Sequence, residues 1–127
     1  MAWITISMDD RIRFISHNGK KILLVDGSNS SAEQLEELAA LVPSRVTAEP
    51  RGTVLLLADF TGAKFDKKSV ERIKPSLVFD RPHLKRSAWV VTESLPKVFY
   101  EHLKSFSQRE LPTFKTREEA LAWLVQD

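Results

Sequence analysis

Cysteine is absent from the 127 residues, which excludes disulfides, a thiolate nucleophile and every thiolate metal site. Three histidines, His17, His83 and His102, are the remaining soft ligands, and a zinc centre would need more than they supply. Glycine is also scarce, at 4 residues. The sequence has no Gly-x-Gly-x-x-Gly or Walker loop, no Gly-x-Ser-x-Gly elbow and no His-Glu-x-x-His. No catalytic residue, metal or cofactor is therefore assigned, and the chain reads as a binding protein, not an enzyme. No apolar run approaches the roughly 20 residues that span a bilayer. The start, Met1-Ala2-Trp3-Ile4-Thr5, lacks the basic residues and long apolar stretch of a signal peptide. A cytoplasmic protein that does not span a membrane is expected.

What the chain does contain is an ordinary globular composition, 43% hydrophobic and 28% charged, in a length suited to one domain over residues 1–127. The net charge of +2 conceals an uneven distribution. Residues 1–63 carry 6 basic and 8 acidic side chains, residues 64–109 carry 11 and 5, and residues 110–127 carry 2 and 4. A basic middle segment either attracts an anionic partner or forms a solvated, lysine-rich helix face. The aromatics follow the apolar stripes and do not interleave with the basic residues, so no nucleic acid is expected as partner.

Arg11-Ile12-Arg13-Phe14-Ile15 alternates polar with apolar, and Asn18-Gly19 supplies the positive φ angles of a tight hairpin turn. The next strand, Ile22-Leu23-Leu24-Val25, is apolar throughout, as are Val54-Leu55-Leu56-Leu57-Ala58 and Ala88-Trp89-Val90-Val91. Strands buried on both faces have this composition. Trp3-Ile4-Thr5-Ile6 reads as a further edge strand, and Leu111-Pro112-Thr113-Phe114 as a short edge strand or extended connector.

Helical spacing separates these strands. Ser30 or Ser31, with Glu33 or Gln34 as reciprocal partner, caps a helix bearing Leu35, Leu38, Ala39 and Val42, which Pro43 is expected to end. Asp66 caps a second helix with Val70, Ile73 and Leu77 on one face, and Pro75 is expected to break it. Ser94 and Pro96 open a third, with Phe99, Leu103 and Phe106 along one side. Thr116 and Glu119 make a capping-box pattern before Ala120, Leu121, Leu124 and Val125. The order implies an α/β fold: a mixed, mainly parallel sheet with an N-terminal antiparallel hairpin and about four helices.

Ligands of open parallel sheets bind beyond the carboxyl ends of the strands. That rule selects Asp26 and Ser28, Asp59 and Thr61, and Thr92-Glu93-Ser94. Paired carboxylates there share a proton or hold a hard cation, or else they make turns and helix caps. The spacing demands neither alternative. Asp66, Lys67, Lys68 and Arg72, with Lys64 and Lys74 nearby, form the second candidate, a basic surface at a helix entrance.

Gly19 to Asn29, Val54 to Asp66 and Pro112 to Leu124 together resemble the SpoIIAA-like proteins of bacteria, relatives of the STAS domain of anti-sigma factor antagonists, whose fold is also related to CRAL-TRIO lipid carriers. The resemblance implies a regulatory module that binds a protein partner; the alternative it suggests is a carrier of a small apolar or lipid ligand. A homodimer stays open. In the STAS pattern Asp-Ser-Ser-Gly opens a helix and offers a hydroxyl for phosphorylation. Asp66 corresponds to that aspartate, but Lys67 and Lys68 follow it and Ser69 comes one residue later, so the usual phospho-acceptor is missing.

Overall fold

The computed structural model describes residues 8–91, 95–109 and 111–126; the expected strand at Trp3–Ile6, the Thr92-Glu93-Ser94 cluster and the Ser94 cap lie outside them. A single 3-10 turn at Met8–Arg11 leads into β1 (Ile12–His17), which pairs antiparallel with β2 (Lys20–Asp26). Asn18 and Gly19 join the two strands at φ 50° and 76°, the backbone of a type I′ turn. A Cβ on Gly19 would meet nothing within 4 Å, so replacing it exposes the conformational strain alone. Gly19→Val is expected to lower stability by about 1 kcal/mol, read from urea unfolding. An unchanged midpoint would contradict the strain argument.

The chain continues through α1 (Ala32–Thr47), β3 (Val54–Asp59), α2 (Lys67–Asp80), a 3-10 turn at Arg81–His83, β4 (Leu84–Val90), α3 (Lys97–Ser107), β5 (Thr113–Phe114) and α4 (Arg117–Leu124). The sheet runs β1-β2-β3-β4-β5, and every pairing after the hairpin is parallel. Alternation along the strands divides the apolar residues between two faces. Leu23, Val25, Leu56, Ala58 and Trp89 pack with Leu35 and Leu38 of α1, Val70 and Ile73 of α2 and Leu103 of α3. Ile22, Leu24, Leu55, Leu57, Ala88 and Val90 pack with Ala120 and Leu124 of α4. Three helices thus cover one face and a single short helix covers the other, which is why residues 22–25 of β2, 54–58 of β3 and 88–90 of β4 read as unbroken apolar runs.

Three details differ from the sequence expectation. α1 does not end at Pro43 but continues to Thr47. The proline forfeits one backbone donor, yet Val46 beyond it is fully buried, and Thr47 Oγ1 returns to the Pro43 carbonyl at 2.8 Å. α2 likewise runs through Pro75 without a break, because Ser76, Leu77 and Asp80 after it are all buried. In both helices tertiary burial outweighs the cost of an interior proline, about 3 kcal/mol. On α3, Leu103 is buried as expected but Phe106 is half exposed, with Lys74 Nζ 4.9 Å from its ring centroid.

Candidate functional site

The sheet order has no reversal, and α1, α2 and α3 all lie on one face. The crevice that opens where neighbouring crossovers diverge is therefore missing at the carboxyl ends of the strands. Asp26 and Asp59 do meet there, directly opposite each other across β2 and β3. Each is held by the hydroxyl residue two positions on. Ser28 donates from N–H and Oγ to Asp26 Oδ1 at 3.2 and 2.6 Å, and Thr61 donates in the same way to Asp59 Oδ1 at 3.0 and 2.7 Å.

Arg117, the first residue of α4, completes the pair. Its Nε and Nη2 donate to Asp59 Oδ2 at 3.0 and 2.8 Å, and Nη2 lies 3.6 Å from Asp26 Oδ1. Burial pushes the Asp59 carboxyl up, but the Thr61 hydroxyl and N–H and the Arg117 guanidinium outweigh it, and the net effect holds the group below its ordinary value. On the other side Arg11 Nη1 donates to Ser30 Oγ at 2.9 Å and to the Ser28 carbonyl at 3.2 Å. Among the described residues no cluster of carboxylate and imidazole groups is arranged to hold a metal ion. The geometry matches the turn-and-cap alternative, with a guanidinium where a shared proton or cation would have stood.

The same bonds join the two loops into one body. Asn29 N–H donates to the Thr61 carbonyl at 2.7 Å and Lys64 N–H to the Ser30 carbonyl at 2.9 Å. Gly62 sits at φ 71° so close to Asn29 that a Cβ would stand 2.4 Å from its Oδ1.

At the entrance of α2, Asp66 caps the helix by accepting from Ser69 N–H at 2.7 Å, and Ser69 Oγ answers by accepting from Asp66 N–H at 3.0 Å. Ser69 is completely buried. Its hydroxyl completes a capping box and is not presented to solvent. Lys64, Lys67, Lys68 and Arg72 are exposed around this entrance. Arg72 and Lys68 approach Glu36 of α1 only at 3.7 and 4.0 Å, and such surface pairs contribute about 0–1 kcal/mol. Lys74 departs from the group: its side chain is largely covered and donates to Glu71 at 3.0 Å.

A second polar cluster, which the sequence did not reveal, lies at the other end of α2. Asp80 is buried at 3% exposure; Ser76 Oγ donates to its Oδ2 at 3.1 Å, and Oδ1 has no partner. Burial pushes its carboxyl up to about 6, against the opposing influence of Ser76, Arg109 and His83. Arg109, also buried, donates to the Leu77 carbonyl at 3.1 Å and to Ser87 Oγ at 2.7 Å. Ser76, Asp80 and Arg109 border a cavity of about 50 Å³ between α1, α2 and the sheet, whose other walls are apolar.

His83 Nδ1 lies 2.8 Å from the Glu49 carbonyl and His102 is an exposed residue of α3. Trp89 is buried edge-on against Phe60, and Trp123 packs on Phe114. The residues missed from the sequence are Arg117 and Arg11, which reach the strand ends over 58 and 15–19 positions; no local spacing signals such contacts. The repeated Asp-x-Ser/Thr at two strand ends was the visible half of the arrangement.

No helix among the described residues is long and apolar enough to cross a membrane. No curated protein and no solved structure matches the chain. A protein-family model described as SpoIIAA-like matches residues 23–125, from β2 to the end of α4. The match takes in the four parallel strands, their crossover helices and the Arg117 closure, and the chain belongs to the SpoIIAA-like family.

Proposed function

We propose that the protein is a non-enzymatic regulatory module of residues 1–127 that docks an acidic protein partner through the entrance of α2, in the cytoplasm. One observation carries the reading: the side chains of Lys68 and Arg72 are 74% and 68% exposed, beside exposed Lys64 and Lys67, on a helix whose buried face is already committed to the core. Long cations so placed steer an anionic surface more than they stabilise the fold. Asp26, Ser28, Asp59 and Thr61 serve this surface by holding the loop before α2 rigid, while Asp66 anchors the helix start. With Ser69 consumed in the cap and lysines at the two positions after Asp66, control runs through partner concentration, ligand binding or expression level and not through phosphate at this entrance.

The second reading, a carrier of a small apolar or lipid ligand, rests on the cavity between helices and sheet. Its volume of about 50 Å³ is a third of the roughly 150 Å³ that accommodates benzene, which favours docking.

The test uses a partner recovered by pull-down from the native host. Reversing Lys67 and Lys68 to Glu is expected to slow association about tenfold at low salt and to flatten its salt dependence, with the melting temperature unchanged. Association that ignores both the substitutions and the salt would return these residues to a solvated helix face.

A further inference from the structure

The strongest unassigned concentration of charge lies at the end of the sheet opposite the docking surface. β5 pairs only with Trp89 and Val90 of β4, so among the described residues the preceding part of β4, paired with β3 on one side, has no strand on the other. The recess left there has a volume of about 250 Å³ and is lined by Arg81, Lys85, Arg86, Arg109, Ser87 and Trp123, with Leu84 and Pro112 completing the wall. Four of those side chains are cationic and none is acidic. Four cations gathered in a concave site concentrate positive potential.

Two features distinguish the recess from a merely basic surface. Arg109 forms part of its floor at 9% exposure, and no described carboxylate lies at ion-pair distance from it; Asp80 stands behind it on the core side. A guanidinium that far from water is retained at a desolvation cost, and burial pulls its proton affinity down to about 10, still charged at neutral pH. Its orientation is fixed by Leu77 and Ser87. Arg86 is fixed too, donating to the carbonyls of Trp123 and Gln126 at 3.0 and 2.9 Å. The second feature is the strand itself. Trp89 and Val91 donate to the carbonyls of Pro112 and Phe114, and the alternation of a strand then turns the Ser87 N–H to the same uncovered edge.

We propose that this recess binds the phosphate group of a phosphate monoester. Arg81 and Lys85, both exposed at its mouth, close on the phosphate oxygens, Arg86 and Arg109 form the positioned floor, and the Ser87 N–H supplies a neutral donor. A dianion with three acceptor oxygens answers four cations better than a carboxylate does, and guanidinium groups are matched to it in shape. The site is independent of the docking surface, since α2 separates the two ends.

The experiment is an amide-resolved NMR titration of the whole chain with inorganic phosphate, against sodium chloride at equal ionic strength. Saturable shifts are expected at Lys85, Ser87 and Trp123, and Arg81→Ala with Lys85→Ala is expected to weaken the affinity at least tenfold. These two residues are exposed, so the double variant keeps the fold, which its spectrum checks directly. Flotation with vesicles of phosphatidic acid, against phosphatidylcholine alone, assigns the source: lipid if the phosphatidic acid vesicles retain the wild type and lose the double variant, a soluble monoester if they retain neither. Shifts that fail to saturate, that chloride reproduces, or that survive the double substitution would overturn the proposal.

Discussion

Replacing Asp59 with alanine is expected to cost about 2–4 kcal/mol of stability, measured by urea unfolding. The carboxylate is 5% exposed and receives four donors, two from Thr61 and two from Arg117. Its loss leaves the Thr61 amide unanswered and releases the Arg117 end of α4 from the end of β3. Arg117 is 35% exposed and can return to water, which keeps the cost below that of a fully buried pair. Asp59→Asn preserves the shape and the acceptor for Thr61 but removes the charge, and is expected to cost about half as much. The pH dependence follows from the lowered carboxyl. Above its ordinary value of 3.8 the unfolded chain is ionised as well, and the stabilisation is complete. As pH falls below that value the unfolded chain takes up the proton first, and the contribution is lost on passing through the folded-state value. A loss under 1 kcal/mol for Asp59→Ala would show that Arg117 and Thr61 hold the strand end without it.

Asp80 should behave in the opposite sense, and Asp80→Asn is expected to stabilise the protein at pH 7. With the folded-state carboxyl near 6 and an ordinary value of 3.8, the folded protein holds a proton across the interval in which the unfolded chain has released it. Stability contributed by this group is therefore complete below about pH 4 and falls as pH rises to about 6. At 1.36 kcal/mol per unit, the displacement from 3.8 to about 6 amounts to about 3 kcal/mol at most. Asparagine removes the ionisation and keeps an oxygen to accept from Ser76 Oγ. A gain of about 1–2 kcal/mol at pH 7 is expected once the desolvation of the amide is deducted, with a flatter profile between pH 4 and 7. Thermal melts across that range decide the matter, and a variant with the wild-type slope would place the titrating group elsewhere.

These two aspartates also mark what the sequence discloses and what it conceals. Strands and caps were legible because their signals are local: the Asn18-Gly19 turn, the apolar runs of β2 and β3, and the capping boxes at Ser31 and Asp66 form as their spacing requires, while at Thr116 the hydroxyl alone accepts from Glu119 N–H. The prolines misled because their penalty is local while the reward for continuing, the burial of Val46 and of Leu77, is tertiary. Asp59 stood out by its place at a strand end, but its partner Arg117 belongs to an element on the opposite face, which no periodicity connects to it. Asp80 gave no signal at all. In the sequence it is the last polar residue of an amphipathic helix, and only the packing of Ser76 and Arg109 around it removes it from water.

The strand order carries a consequence for how the chain assembles. Because β1 through β5 lie side by side in the order of synthesis, each new strand finds its neighbour already made, and no gap has to wait for a later segment. This keeps the loops that must close short. The exception is the face built from Ile22, Leu24, Leu55 and Leu57, whose cover is α4 near the end of the chain. Until residues 117–124 arrive, a nearly complete sheet presents an oily surface to its surroundings. Lys20 Nζ donating to the Val125 carbonyl across 105 positions and Arg117 joined to Asp59 are the fastenings of a lid laid on last. A nascent chain is then at its most adhesive just before residues 117–124 emerge, and the roughly two turns of α4 decide whether it stays in solution or seeks another surface.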